Sequence, residues 1–264
     1  MRVGFIGLGV QGLPLALNLL TAGHELFGFD VSAEPLTALR QAGGNTVDAA
    51  GELGGLCEVI FICVAKDQQV LDVVTGDQGV ISQARPGLVL VNHSTVSADT
   101  TASLIAATTA AGLRFADAPV SGGARGAQEK TMSFMVGADD DVMMVCEPLF
   151  RASGSAILRT GGPGTATVGK PAHQVTIIGN ILAMAEGMRL GVAAGLEPQI
   201  VKQIITGGLA RSFIAETWGE IKMAPHALPI YAKDLENSLE LAREVGVDLP
   251  GARLMRQELQ NIVP

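Results

Sequence analysis

The 264 residues suffice for one large domain or two modest ones with a substantial core, and a composition of 48% hydrophobic and 17% charged residues with 33 glycines is globular. A net charge of −8 and a pI near 5.0 exclude a sequence-independent hold on nucleic acid or on an anionic membrane. They leave room for a small anion bound locally.

In chain order, "RVGFIG" (2–7) predicts a strand that begins too early for a signal peptide. A helix over about 11–22 follows and stops at Gly23. "ELFGFD" (25–30) is a second strand, and "EVIFICV" (58–64) is an apolar run suited to a strand buried on both faces. "GLVLVNHST" (87–95) leads to a helix capped by Ser97. "LRFADAPVSGG" (113–123), "MSFMVGA" (132–138) and "SAILRT" (155–160) complete the strands. Asp139, Asp140 and Asp141 read as a helix N-terminus favoured by the macrodipole, and no metal site is expected there.

Strands alternating with helical patterns predict a parallel sheet with crossover helices. After "GGPG" (161–164) the pattern becomes wholly helical, over about 165–195, 197–206, 210–223, 231–246 and 250–261. The expectation is an α/β domain over 1–162 and an all-α domain over 163–264, with a long interdomain helix that packs against another subunit. The mean hydropathy of +0.36 raises the question of a membrane span. Asn180, Glu186 and Arg189 interrupt the best stretch, 175–196, which reads as a buried helix instead. Cys57, Cys63 and Cys146 are odd in number and lack CxxC spacing, as expected of free thiols in a reducing, cytoplasmic compartment.

"GLGVQG" places Gly7, Gly9 and Gly12 in G-x-G-x-x-G spacing between a strand and a helix, and Asp30 closes the next strand. Gly7 allows a tight turn, Gly9 lets backbone approach a pyrophosphate, and Gly12 lets helix and strand pack closely. The helix N-terminus then faces the phosphates. A carboxylate at Asp30 would accept from both ribose hydroxyls and repel a 2′-phosphate, and no Arg lies beside it in "FDVSAE". NAD is expected over NADP. Gln11 on the glycine turn and Val64 at the end of the third strand join Gly7, Gly9, Gly12 and Asp30 as candidate cofactor-binding residues.

"DAPVSGG" (117–123) ends in a turn whose glycine N–H groups and Ser121 hydroxyl can form a small anion-binding concavity. Between Arg159 and Glu186 the single Lys or Arg or acid is Lys170, on an otherwise apolar stretch. Lys170, His173 and Gln174 share one helix face, where buried polar groups need partners and a ligand is one such partner. Oxidising an alcohol by hydride transfer requires removal of the hydroxyl proton, which a partly desolvated lysine can accept.

"GFIGLGVQGLPLALNL", "HSTVS", "DAPVSGGARGA", "GPGTATVGKPAHQ" and "KDLENSLELAREVGVDLP" together resemble the β-hydroxyacid dehydrogenase family. That family includes 3-hydroxyisobutyrate dehydrogenase, tartronate semialdehyde reductase and, more distantly, 6-phosphogluconate dehydrogenase. The resemblance implies an N-terminal Rossmann domain, a helical C-terminal domain and an active site in the cleft between them. It implies that Lys170 is the general acid/base and that Ser121, Gly122 and Gly123 hold a substrate carboxylate. Gln174 would orient substrate, as an amide there does in many members, and His173 resembles the 6-phosphogluconate branch. Thr95 would lie beside the nicotinamide, and Lys233 and Asp234 match a segment that reaches the cofactor. Homo-dimers or homo-tetramers built on the long helix are implied as well.

Three features depart from the family pattern. Pro171 follows the lysine directly, so the helix is expected to start later or to kink. Lys130 stands where the family has glycine, and "MAPHALPIYAKDL" (223–235) is shorter than its counterpart. The expected activity is NAD-dependent oxidation of a small, carboxylate-bearing β-hydroxy acid to its semialdehyde. The rivals are an imine or carbonyl reductase of the same architecture, which tends to lack the lysine, and a non-catalytic nucleotide-binding regulator.

Overall fold

In the computed structural model, residues 1–219 and 227–262 are described. They divide into two compact units, Met1–Lys170 and Pro171–Pro264.

Among the described residues, the first unit carries one sheet: β1 (Arg2–Ile6), β2 (Glu25–Phe29), β3 (Asn45–Thr46), β4 (Val59–Ile62), β5 (Val89–Asn92), β6 (Arg114–Asp117), β7 (Val120–Ser121), β8 (Met132–Gly137) and β9 (Gly154–Gly161). Its helices are α1 (Gly12–Thr21), α2 (Ala33–Gln41), α3 (Ala50–Leu56), α4 (Asp67–Thr75), α5 (Ala98–Ala110), α6 (Gly123–Glu129) and α7 (Asp140–Arg151). The strands run in the order β3-β2-β1-β4-β5-β6-β8-β7, and β9 pairs with β8.

Alternation along the strands builds two cores. Val3, Phe5, Val59, Phe61, Val89 and Val91 face one way, onto Leu15 and Leu19 of α1 and Leu149 and Phe150 of α7. Ile60, Ile62 and Leu90 face the other way, onto Leu53 of α3, Val70 and Val74 of α4 and Leu104 of α5. Side chains of a strand point alternately to its two faces, so an apolar run such as "VIFI" belongs in a sheet covered on both sides.

The sheet is not parallel throughout. β8 runs antiparallel to β6 and β7, whereas β9 returns parallel to β8. Too few residues lie between Ser121 and Met132 for a parallel crossover, which needs a dozen or more.

The helix α8 (Thr165–Ala193) runs from the end of the first unit into the second, followed by α9 (Pro198–Thr206), α10 (Phe213–Glu216), α11 (Ala227–Glu244) and α12 (Pro250–Ile262). At 29 residues α8 is roughly 43 Å long. It starts at Thr165 and continues through Pro171, so the late start considered from the sequence does not occur. The core of the second unit gathers Ile178, Ile181 and Met184 of α8 with Leu235, Ala252 and Met255.

Two expectations need correction. The stretch 175–196 is not a buried helix throughout: Ile178, Ile181, Met184 and Ala185 are buried, but much of the remaining surface of α8 is open. By length and composition alone α8 would pass as a membrane span. One apolar stripe is satisfied by the chain's own core, and the rest of its apolar character is left over. Of the helix expected over 210–223, the described part, 210–219, holds a single turn, α10, capped by the Ser212 hydroxyl and followed by Gly219 at φ +89°. That left-handed conformation ends helical geometry, and residues 220–226, with part of "MAPHALPIYAKDL", lie outside the described residues.

Candidate active site

The strand order reverses between β1 and β4, and ligands of open α/β sheets sit at the carboxyl ends of the strands at such a point. Gly7 follows β1, Asp30 follows β2, Val64 follows β4 and Thr95 follows β5, so folding brings these residues of the first unit to one edge. Backbone bonds hold the edge together: the Gly7 amide donates to the Phe29 carbonyl at 2.9 Å and the Cys63 amide to the Ile6 carbonyl at 2.8 Å.

The three glycines differ in what demands them. Gly7 has φ +87°, and a Cβ there would lie 2.3 Å from the Cys63 carbonyl oxygen. At Gly12 a Cβ would lie 1.8 Å from the Gly7 carbonyl oxygen. At Gly9 a Cβ would meet nothing within 4 Å, and the residue is exposed. The chain's own packing thus requires the first and third glycines, while the second keeps surface bare for something outside the chain. Gln11 is the N-cap of α1 and makes no side-chain cap bond, while the Leu13 amide in the first turn donates to the Gly9 carbonyl at 3.0 Å. Glycine, amides and crevice fit a dinucleotide pyrophosphate.

Asp30 is held from both sides, Oδ2 accepting from the Leu8 amide at 2.7 Å and Oδ1 from the Ser32 amide at 2.8 Å. The Val64 amide donates to Ser94 Oγ at 2.9 Å, and the Ser94 amide donates to Asn92 Oδ1 at 3.0 Å. These bonds pin the loop after β4 to the loop after β5, next to Thr95. His93, in the same loop, turns inward among Phe5, Phe61, Phe134 and Phe150 and pairs Nδ1 with the Ala118 carbonyl at 2.6 Å. Burial pushes its imidazole down to about 4, so it is a neutral core residue.

After β7, Gly122 and Gly123 adopt φ of +135° and +62°, a left-handed pair that opens α6. At Gly122 a Cβ would also crowd the Met132 sulfur at 2.8 Å. Ser121 is half-buried at this turn. Lys170, 4% exposed, donates from Nζ to the carbonyl of Val120 at 2.8 Å. The Lys170 nitrogen is therefore anchored one residue before the Ser-Gly-Gly turn.

Gln174 sits one turn after Lys170 on α8, also buried, and its Nε2 donates to Asp234 Oδ2. His173 beside it is half-buried. Lys233 lies on α11 in the second unit, its Nζ 3.7 Å from Asp234 Oδ1.

Comparison with known proteins agrees along the whole chain. Residues 2–162 match the NAD binding domain of 6-phosphogluconate dehydrogenase, and residues 164–263 match the NAD-binding region of NADP-dependent 3-hydroxyisobutyrate dehydrogenase. The chain belongs to the β-hydroxyacid dehydrogenase family.

Among its relatives in that family, 2-hydroxy-3-oxopropionate reductase of Escherichia coli strain K12 is 35% identical, over 99% of this chain and 90% of that protein. A 2-(hydroxymethyl)glutarate dehydrogenase of Eubacterium barkeri is 30% identical over 97% of this chain and 87% of that one. A solved 3-hydroxyisobutyrate dehydrogenase from Salmonella typhimurium superposes with a TM-score of 0.88 at 28% identity, covering 99% of this chain and 93% of the other. This member of the β-hydroxyacid dehydrogenases is an NAD(P)-dependent hydroxyacid oxidoreductase with a Rossmann domain.

One buried acid of each unit has partners that the sequence does not reveal. Asp117 opens the anion-turn motif and is fully buried, and Asp234 is buried against Gln174. An acid closing an apolar strand is a readable signal, but its partners come from residues about fifty positions away.

Proposed function

We propose that this dehydrogenase oxidises a small β-hydroxy acid, 3-hydroxyisobutyrate-like in size, to its semialdehyde with NAD, in the cytoplasm. Ser121, Gly122 and Gly123 hold the substrate carboxylate. A nicotinamide bound at the glycine crevice supplies the hydride acceptor. Lys170 Nζ, as the neutral amine, takes the hydroxyl proton during oxidation, and as the ammonium so formed returns it when the semialdehyde is reduced. Asp30 favours NAD over NADP, because its fixed carboxylate matches ribose hydroxyls and opposes a 2′-phosphate.

The observation that carries this reading is the placement of Lys170. An amine withdrawn from bulk water and bonded to the residue that precedes Ser121 supports a proton-transfer role over a solvated helix charge. The test is NADH absorbance with NAD and a panel of small β-hydroxy acids, for the wild type and Lys170→Ala. Turnover should fall at least about a hundredfold in the variant with NAD affinity unchanged. Equal loss of both would make the lysine structural, and NADH binding without any turnover in the wild type would favour a regulator.

We also propose that a second copy of the chain covers the apolar surface left on the second unit, giving a homo-dimer or homo-tetramer. Leu190 on α8, Ile200 and Ile204 on α9, and Leu209 and Phe213 beyond them are each exposed, apolar side chains of the second unit that a second copy would take out of water. Light scattering should report a dimer or larger, and Ile204→Asp should shift it toward monomer. A wild-type monomer at micromolar concentration would refute this.

A further inference from the structure

Asp117 ends β6 with 0% exposure. Its carboxylate accepts from the backbone N–H of Gly164 at 2.6 Å and of Thr167 at 2.5 Å, and the Thr167 hydroxyl bonds to it too. The same hydroxyl pairs with Thr101 Oγ1 at 3.1 Å. On another side, a Cβ added at Gly137 would come within 2.4 Å of Asp117 Oδ1, so the missing side chain there makes the space that the carboxylate fills. A buried acid disfavours folding unless it is fully hydrogen-bonded, and here Gly164 and Thr167, at or just before the start of α8, supply donors to it.

That arrangement grips α8 at two points. Thr167 precedes Lys170 by three residues, on the same side of the helix. Asp117 precedes Val120 by three residues, and the Val120 carbonyl accepts from Lys170 Nζ. One short segment, 117–121, therefore holds the helix end through the Asp117 side chain, holds the amine through the Val120 carbonyl, and carries Ser121. We propose that Asp117 is a positioning residue that sets the aim of Lys170 toward the Ser121 turn. The proposal rests on Lys170 being the proton-transfer group for its catalytic consequence, but its structural content stands apart from turnover.

The test is Asp117→Asn in the full chain. The carboxamide can accept through its oxygen alone, so it turns an N–H toward either the Gly164 or the Thr167 amide and loosens the grip without changing size. Competitive acylation with acetic anhydride, read by peptide mass spectrometry, measures each lysine separately. Lys170 labelling should rise several-fold over wild type, while exposed Lys66 and Lys130 stay constant. With the wild type's best β-hydroxy acid, kcat should fall about tenfold to a hundredfold and the KM for NAD should not move.

A folded Asp117→Asn protein whose Lys170 labels at the wild-type rate overturns the proposal, as does a uniform rise at every lysine. Labelling needs no turnover, so an inactive wild type would count against the dehydrogenase reading alone. If Asp117→Asn does not fold, Thr167→Val removes only the hydroxyl between Asp117 and Thr101. It should raise Lys170 labelling in the same direction by a smaller factor, and an unchanged rate there overturns the proposal equally.

Discussion

The Leu8 amide donates to Asp30 Oδ2 at 2.7 Å, tying the glycine turn after β1 to the acid after β2. The carboxylate is thereby aimed before any cofactor arrives. Hydrogen bonds to a charged group contribute about 1.5–3 kcal/mol, so Asp30→Asn should weaken NAD binding by about tenfold or more and narrow the preference for NAD over NADP. Fluorescence titration with both dinucleotides measures this. An unchanged ratio would remove Asp30 from the discrimination.

The glycine turn separates fold from binding. Gly12→Ala drives a methyl into the Gly7 carbonyl, and overpacking of that kind should cost about 1–3 kcal/mol or more in urea unfolding. Gly9→Ala meets no atom of the chain, so stability should stay near wild type while NAD affinity falls. Loss of stability at Gly9 comparable to that at Gly12 would show that the turn serves the chain alone.

His93 makes stability depend on pH. Its folded value, about 4, lies below the ordinary 6.5, so between these values the unfolded chain takes up a proton that the fold refuses. Stability is complete above 6.5 and is lost as pH falls toward 4, by on the order of 3 kcal/mol. Asp117 opposes this: burial raises its carboxyl, so the fold takes up that proton at a higher pH than the unfolded chain and regains stability on acidification. His93→Phe should cost about 1–2 kcal/mol at pH 7 through the orphaned Ala118 carbonyl. The gap to wild type should shrink below pH 6. A parallel pair of stability curves would refute a neutral His93.

Lys130 is the described non-glycine residue with positive φ, 59°, at the C-cap of α6. A side chain in the left-handed region costs about 1 kcal/mol or more that glycine does not. Lys130→Gly should therefore raise the unfolding midpoint without altering turnover, as differential scanning calorimetry would record. A lower midpoint would mean that the lysine makes compensating contacts.

The backbone plan of the first unit could be read in advance because its signals are local. Near-continuous apolar runs mark β1, β4 and β5, and Ser97 before a helical pattern marks the start of α5, where its Oγ accepts from Thr100 N at 3.2 Å. The edge at the ends of β1 and β2 could be read for the same reason: strand, glycine turn and acid follow at set spacings, so Gly7, Gly9, Gly12 and Asp30 could be expected together without coordinates. The β8 reversal and the single turn at α10 were not, since periodicity reports which faces are apolar and not which way a strand runs or where a helix meets its cap. The partners of the buried polar groups were hidden too. Nothing near Asp117 in the chain announces Gly164 and Thr167, nothing near Lys170 announces Val120, and nothing near Gln174 announces Asp234. Local pattern encodes which residues seek apolar cover and how the backbone turns, because those forces act over a few residues. Which donor finally meets a buried acid depends on segments distant in the chain arriving within about 3 Å, and only packing in three dimensions decides that.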